Sequence, residues 1–496
     1  MAEITVQPGA TGASTPTDDG RRNSLRPAAM GVVAILFFVV ATSSPLAVAV
    51  GNLPIIIGFG NGIGAPGTYV LAGVVLCLFS VGYTAMSQRI TNAGAFYAYV
   101  SAGLGRTPGV AAGWVANVAY NLLAIFTIGY MGYFANYVFN AELSVNIPWE
   151  VFAFGTLAVV TVLGVRGVEL NARLLGVFLL CEVALLLAMD VAVLVQNGFG
   201  AFSLSSFSPK EIFSGAPGVA FAFAFLSFIG FEATAIFGEE AKDPRRTVRR
   251  ATYAAVLFIT ISYTLTTWAV VASQPAAKLE ENALSDPGAF VPGIAAANLG
   301  GWSSHAVNWL LMTSLFAIMI AIHNMTSRYL FAFGRAGLLP SALGRTHPRY
   351  KTPYIAGMTQ FTLMAVIVAI FAIAGADPYL DMAAVTGGVG TLGVLALMAA
   401  TSIAVIAYLR NETTVSLFGR VVAPILAFAG LTTACVLIID NFSAITGSDA
   451  WIVSHLPWLL VVVAVFGLVA GHLHPGRREI DVFAGEDGDV RPEAAG

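Results

Sequence analysis

Of the 24 lysines and arginines in this chain, all but Lys210 and Lys278 fall on one side of a zigzag of apolar segments. A helix needs roughly 20 residues to cross a bilayer core, and twelve segments offer that length. They lie at 30–57, 66–86, 110–139, 149–165, 170–196, 213–238, 250–273, 304–333, 353–374, 382–409, 419–440 and 452–473, numbered here as spans 1 to 12. Arg21, Arg22 and Arg26 precede span 1. Alternate loops hold Arg89 and Arg106; Arg166 and Arg173; Lys242, Arg245, Arg246, Arg249 and Arg250; Arg335, Arg345, Arg349 and Lys351; and Arg410 and Arg420. Arg328 lies near the inner end of span 8, and Arg477, Arg478 and Arg491 follow span 12. Positive charge collects on the cytoplasmic side, so both termini are expected in the cytoplasm of a multi-pass cell-membrane protein. That arrangement requires an even number of crossings.

Composition agrees. With 57% hydrophobic and only 10% charged residues, the chain does not fit a soluble domain of 496 residues. The fold class expected is an all-α integral membrane protein. Residues 1–29 read as a disordered cytoplasmic tail, 30–473 as the helical domain, and the acidic, Gly-rich 474–496 as a second disordered tail. No cleavable signal pattern precedes span 1, which is expected to serve as a retained anchor. The basic run Lys242–Arg250 is what an inner loop should carry, so membrane lipid is the expected partner and nucleic acid is not.

Little in the chain suggests catalysis. Cys77, Cys181 and Cys435 sit inside apolar spans without metal-ligand spacing, which points to packing. Gly58, Gly60, Gly62 and Gly64 lack the spacing and the strand–turn–helix context of a phosphate loop, and read as a turn between spans 1 and 2. No H-E-x-x-H, G-x-S-x-G or Walker pattern occurs, so neither an enzyme nor a cofactor or metal site is expected.

Two spans are interrupted. Without water a spanning backbone must bond to itself, so a break is tolerated where it lines a cavity or is buried in protein. In span 1, Ala41-Thr42-Ser43-Ser44-Pro45-Leu46 falls near the middle; Pro45 removes a donor and the hydroxyls offer the backbone other partners. In span 6, Leu226-Ser227-Phe228-Ile229-Gly230-Phe231-Glu232 places a glycine and an acid inside the helix. Spans 1 and 6 each begin a block of five, with spans 11 and 12 left over. Breaks at matching places in two inverted halves point to a transporter's binding site near the midplane.

The stretch Phe228-Ile229-Gly230-Phe231-Glu232, followed by Glu239-Glu240-Ala241-Lys242-Asp243-Pro244-Arg245-Arg246, resembles the signature of the amino acid–polyamine–organocation superfamily of secondary transporters. Asn92-Ala93-Gly94-Ala95-Phe96-Tyr97-Ala98-Tyr99 after span 2 adds to the likeness. So do Asn324, Arg328, Gly334-Arg335-Ala336-Gly337-Leu338-Leu339-Pro340 and Thr352-Pro353. The resemblance covers residues 30–475. It implies a five-plus-five inverted repeat and transport of amino acids or related amines by alternating access. The family often carries a Gly-Ser-Gly type break in span 1, whose free N–H groups receive the substrate carboxylate; here the stretch reads Ser43-Ser44-Pro45. On that likeness, carbonyls of Phe228, Ile229 and Gly230 would hold the substrate ammonium and Ser43 and Ser44 its carboxylate. Thr42 and Leu46 flank that break, and Leu226, Ile229 and Phe231 would shape the side-chain compartment.

Glu232 is the sharpest single candidate. An acid at a helix centre costs about 2.5–3.5 kcal/mol on insertion scales, so it normally faces a cavity or a partner. The resemblance gives this acid a gating or pH-sensing role; the plain alternative is a carboxyl bonded to nearby backbone. Glu182 and Asp190 on span 5 lie within about 80° of each other on the helix. Glu182 suits proton coupling or an inter-helix hydrogen bond, and Asp190, near the outer end, is expected to be wet. Asn117, Tyr120 and Asn121 form a polar stripe on span 3 that lines a pocket or joins helices. His323 reads as a structural group, and Thr313 and Ser314 as sodium ligands or helix glue.

The function expected is therefore an amino acid transporter driven by a coupling proton, with sodium as the other possible ion. A polyamine or amine permease or exchanger is the near alternative, although Glu232 alone is thin support for a di-cation. A membrane-embedded enzyme would need converging acids, histidines or a nucleophile, which are missing. A transport-inactive sensor would usually append a signalling domain, and the tails are too short for one.

Overall fold

A backbone inside a bilayer must satisfy its own hydrogen bonds, and every element among the described residues is helical. The structure, a computed structural model, describes residues 31–90, 96–167, 172–236, 243–447 and 451–473. Expectations about both tails, about Asn92 to Ala95 and about Glu239 to Lys242 lie outside the described residues. The principal helices are α1 (Val32–Ser43), α2 (Ala65–Ser87), α3 (Phe96–Leu104), α4 (Arg106–Leu143), α5 (Trp149–Arg166), α6 (Ala172–Asn197) and α7 (Pro217–Phe228). They are followed by α8 (Pro244–Ala272), α9 (Trp302–Arg335), α10 (Tyr354–Ile373), α11 (Ala384–Leu409), α12 (Ala423–Asp440) and α13 (Trp458–Leu473). Among the described residues nine helical stretches are long and apolar enough to cross a membrane. One of them, Val32–Ser87, contains both α1 and α2, while α7 and α13 are apolar but shorter.

Some boundaries move for local reasons. α8 begins at Pro244 rather than near 250, because proline suits the first helical turn and the Asp243 carboxylate accepts the Arg246 N–H at 3.3 Å. Between α8 and α9, a stretch that hydropathy assigns to no span folds into the helices Leu279–Ser285 and Pro287–Leu299. The Asp286 side chain caps the second of these at Ala289.

Packing sorts the helices into an inner and an outer set. α4 runs against α9 and α11, and α2 against α8. The largest enclosed side chains include Tyr69, Tyr83, Tyr120, Tyr130 and Tyr329. α5, α6, α10, α12 and α13 instead turn aliphatic residues outward, such as Val159, Leu180, Val366, Ile425 and Val462. Such apolar belts suit contact with lipid tails. On the basic face, Arg89 at the end of α2 donates to Thr414 at 2.9 Å and lies 3.7 Å from Glu412. Hydrogen bonds from Thr414, and then Arg89, hold Glu412 below the usual carboxylate range.

Candidate functional site

The first break is made by Ser44, not by Pro45 itself. Ser44 takes a left-handed conformation, φ 47° and ψ 82°, which is rare for a residue with a Cβ and is strained. Pro45 then starts a new helical direction. The Ser44 N–H and the Ser43 hydroxyl both bond the Val40 carbonyl, at 2.9 and 3.1 Å, closing the end of α1. The Tyr263 hydroxyl on α8 lies 2.9 Å from the Ser43 carbonyl and 3.0 Å from its Oγ. Beyond the break, α-helical turns alternate with π-helical ones through Asn61. Pro54 has no N–H to give, and the shifted register leaves the Gly51 carbonyl to accept from the Tyr379 hydroxyl at 2.8 Å.

The second break follows α7. Ile229 is extended, Gly230 has φ 115°, and helix resumes at Ala233–Ile236. Glu232 braces this opening. Its Oε2 accepts the Gly230 N–H at 2.9 Å and its Oε1 accepts the Tyr120 hydroxyl at 2.7 Å. Its carbonyl accepts from Tyr83 at 2.8 Å. The side chain is fully enclosed, and Tyr120 stacks on Tyr329 with ring centres 5.2 Å apart. The acid thus links the break to α2 and α4.

The two breaks touch. A Cβ built on Gly230 would lie 2.7 Å from Thr42 Cγ2, so glycine is what lets the second break pack against the first. Beside this contact is a cavity bordered by Thr42, Ser43, Leu226 and Ile229 from the breaks, and by Leu123, Phe126, Ile318 and Ile322 from α4 and α9. Its polar side is formed by Asn52, Thr127 and Tyr130. Among the described residues no charged side chain borders it.

The other sequence candidates fall around this centre. Ser44 Oγ meets Ser314 Oγ, and the Ser314 hydroxyl donates to Glu182 at 2.7 Å. The Leu46 N–H also bonds the Glu182 side chain, so Glu182 is tied to the chain just past the break. Phe228 and Phe231 border a second, apolar cavity with Thr391 and Met398. Asn121 bonds Asn117 on its own helix at 2.7 Å, while Leu123, Phe126 and Thr127 form the α4 side of the cavity between the breaks. Thr313 donates to its own helix at Leu310. His323 packs where α5 and α10 approach α9 through Gly164 and Gly357. Asp190, expected to be wet, is half-buried: Oδ2 accepts from Thr266 at 2.9 Å and Oδ1 is enclosed.

Sequence reasoning passed over Asn52, although a lone amide in an apolar helix was a visible signal. Its Nδ2 donates to Ser227 at 2.9 Å and its Oδ1 accepts from Tyr130 at 2.9 Å. Tyr69 joins at Ser227, 3.0 Å away. One amide therefore ties the far half of the first broken helix to α4 and α7. Asn52→Leu is expected to destabilise the protein by about 2–4 kcal/mol, because it strands enclosed hydroxyls. Thermal unfolding in detergent should show the loss, and an unchanged midpoint would exclude this role.

The chain is similar to known proteins. A family model described as amino acid permease matches residues 31–467. The branched-chain amino acid permease BcaP of Bacillus subtilis is 24% identical over 441 residues, covering 84% of this chain and 88% of that protein. The methylthioribose transporter of B. subtilis is 25% identical over 426 residues, 81% and 84% of the two chains. The low-affinity putrescine importer PlaP of Escherichia coli K12 is 25% identical over 301 residues, 58% and 63%. Among solved structures, an Eremococcus coleocola manganese transporter in complex with an aromatic bis-isothiourea compound superposes with a TM-score of 0.56. At 14% identity, over 92% of this chain and 96% of that one, it is a likeness of fold.

Proposed function

The chain belongs to the amino acid permease family, and on that premise we propose that it is a secondary active transporter of a neutral amino acid with an apolar side chain, coupled to a proton. In this reading the chain crosses the membrane twelve times, with α1 and α2 as separate crossings and α7 and α13 also spanning. Both termini are cytoplasmic, as the basic residues favour. The two groups of five form inverted halves, and alternating access follows from rocking the bundle that contains both breaks.

One observation carries the substrate reading. The cavity where the breaks meet is lined by aliphatic and aromatic side chains with a small polar edge, and no acid among the described residues borders it. A polyamine would bury two positive charges there without a counter-charge, which is costly. A zwitterion brings its own pair. Its ammonium meets the Ile229 carbonyl at the second break, and its carboxylate meets the opening at Ser43 and Ser44. Its side chain then lies among Leu123, Leu226, Ile229 and Ile318. The name of the Bacillus branched-chain permease agrees with this choice, and the putrescine importer's does not.

Proteoliposome uptake tests it. Labelled valine, leucine, isoleucine, phenylalanine, arginine, glutamate and putrescine are offered under separate proton and sodium gradients. Accumulation of an aliphatic amino acid on the proton gradient alone is expected. Accumulation of putrescine, or dependence on sodium alone, would defeat the reading. Glu232→Gln is measured in parallel. Its amide can accept the Gly230 N–H only by turning its NH2 toward the Tyr120 hydroxyl, which must then accept rather than donate, so uptake should fall roughly tenfold or more as the brace weakens. Full uptake by this variant would exclude the bracing role.

A further inference from the structure

We propose that Asp190 is a proton relay station that delivers protons to Glu182 along α6; this rests on the proton-coupled reading above. The two acids are on one helix, about 12 Å apart along its axis at 1.5 Å per residue. Asp190 is held at one oxygen only: Oδ2 accepts from Thr266, and Oδ1 is enclosed without a partner. An intramembrane acid left so is costly as a purely structural device, and such groups mark proton pathways.

The space between the acids is not filled. A cavity lies along the α6 turns that separate them, bordered by Val183, Leu186 and Leu187. Across it stand Tyr263, Thr266 and Thr267 of α8, and Pro45 begins the chain beyond the first break on its third side. The cavity has room for one water. Thr266 belongs both to this lining and to Asp190, and the Thr267 hydroxyl is enclosed with no partner. At the far end the Tyr263 hydroxyl reaches Ser43, whose neighbour Ser44 meets Ser314, which bonds Glu182. A hydroxyl therefore stands at each carboxylate, Thr266 at Asp190 and Ser314 at Glu182, and Tyr263 and Thr267 line the cavity between them among apolar side chains.

The surroundings supply no fixed counter-charge. α1 and the helix Pro287–Leu299, both near α6, contain no ionisable side chain. On α9, His305 is bonded to Glu142 at 2.6 Å, His323 lies between α5 and α10, Tyr329 stacks on Tyr120, and Arg328 and Arg335 lie in the last two turns, Arg335 over Phe331. On α8 the ionisable group near the route is Tyr263, and Arg246 pairs with Asp243 at the opposite end. Neither acid has an ion-pair partner among the described residues. Each transfer is an exchange of O–H bonds: the proton leaves the Asp190 carboxyl, a water or hydroxyl in the cavity accepts it while releasing another, and Glu182 gains one. No charge is stored on the way.

The test separates delivery from binding. Asp190→Asn, Asp190→Glu and Thr266→Val are reconstituted beside the wild type. Proton-driven uptake and equal-pH exchange of preloaded substrate are measured for each. For Asp190→Asn, driven uptake should fall roughly tenfold or more while exchange persists and the pH dependence of KM is retained. Asp190→Glu should recover part of the rate. If driven uptake and exchange fall together, the carboxylate only braces α6 on α8 and the proposal is overturned. It is equally overturned if neither changes. Thr266→Val gives the same reading with the acid in place, should Asp190→Asn fail to reach the membrane. A wild type that ignores the proton gradient would instead sink the coupling reading, and the relay with it, before any variant is examined.

Discussion

Gly230→Val should abolish transport while leaving the chain in the membrane. Gly230 has φ 115°, a conformation that a β-branched residue adopts only under strain costing about 1–3 kcal/mol. Sterics add to this, because the new Cβ would sit 2.7 Å from Thr42 Cγ2 and 2.9 Å from Thr42 Cβ. Both atoms belong to the other broken helix, so relief means moving one break off the other. A shift of about 1 Å at a site of this kind can cost a hundredfold in rate. Uptake per unit of inserted protein measures the effect. Gly230→Ala combined with Thr42→Gly removes the contact but keeps the backbone strain, and should recover only part of the loss. Wild-type uptake by Gly230→Val would mean that the apposition of the breaks is incidental.

The sequence showed where the helices break but not what holds the breaks open. Hydroxyls before Pro45, and a glycine followed by an acid after Phe228, are local signals, and the helical path turns at both places. Helix cores were equally legible, because apolar length is a property of one segment at a time. The partners were not. Tyr263 meets Ser43 across 220 residues, Tyr379 meets Gly51 across 328, and Tyr120 meets Glu232 across 112. Nothing local in any of these tyrosines announces its partner, since a phenol in an apolar helix packs well whether or not its hydroxyl bonds. Asp190 was legible only in part for a related reason. Its place near a span end suggested water, and it is half-buried, but Thr266 on α8 reaches Oδ2 and Oδ1 is enclosed. The polar stripe at Asn117 and Asn121 illustrates the converse: i, i+4 spacing turns the Asn121 amide back onto the backbone carbonyl and side-chain oxygen of Asn117 on its own helix.

Glu182→Gln is the variant expected to separate binding from accumulation. The Glu182 carboxylate bonds the Ser314 hydroxyl and the Leu46 N–H, and through Ser314 it reaches Ser44. These groups lie at and just past the first break, where the proposed substrate carboxylate must also find donors. Two anions cannot share one set of donors cheaply. A charged Glu182 therefore competes with substrate, whereas a protonated one releases the donors and carries the proton inward with it. Higher external pH should accordingly raise KM in the wild type. The glutamine variant is uncharged at every pH and keeps a carbonyl for Ser314 or Leu46. It should bind and exchange substrate with a flat KM, yet lose roughly tenfold or more of its gradient-driven uptake. Exchange at equal pH, followed by uptake across a series of external pH values, distinguishes these effects. A glutamine variant that still accumulates substrate, with the wild-type slope of KM against pH, would show that the proton enters through another group.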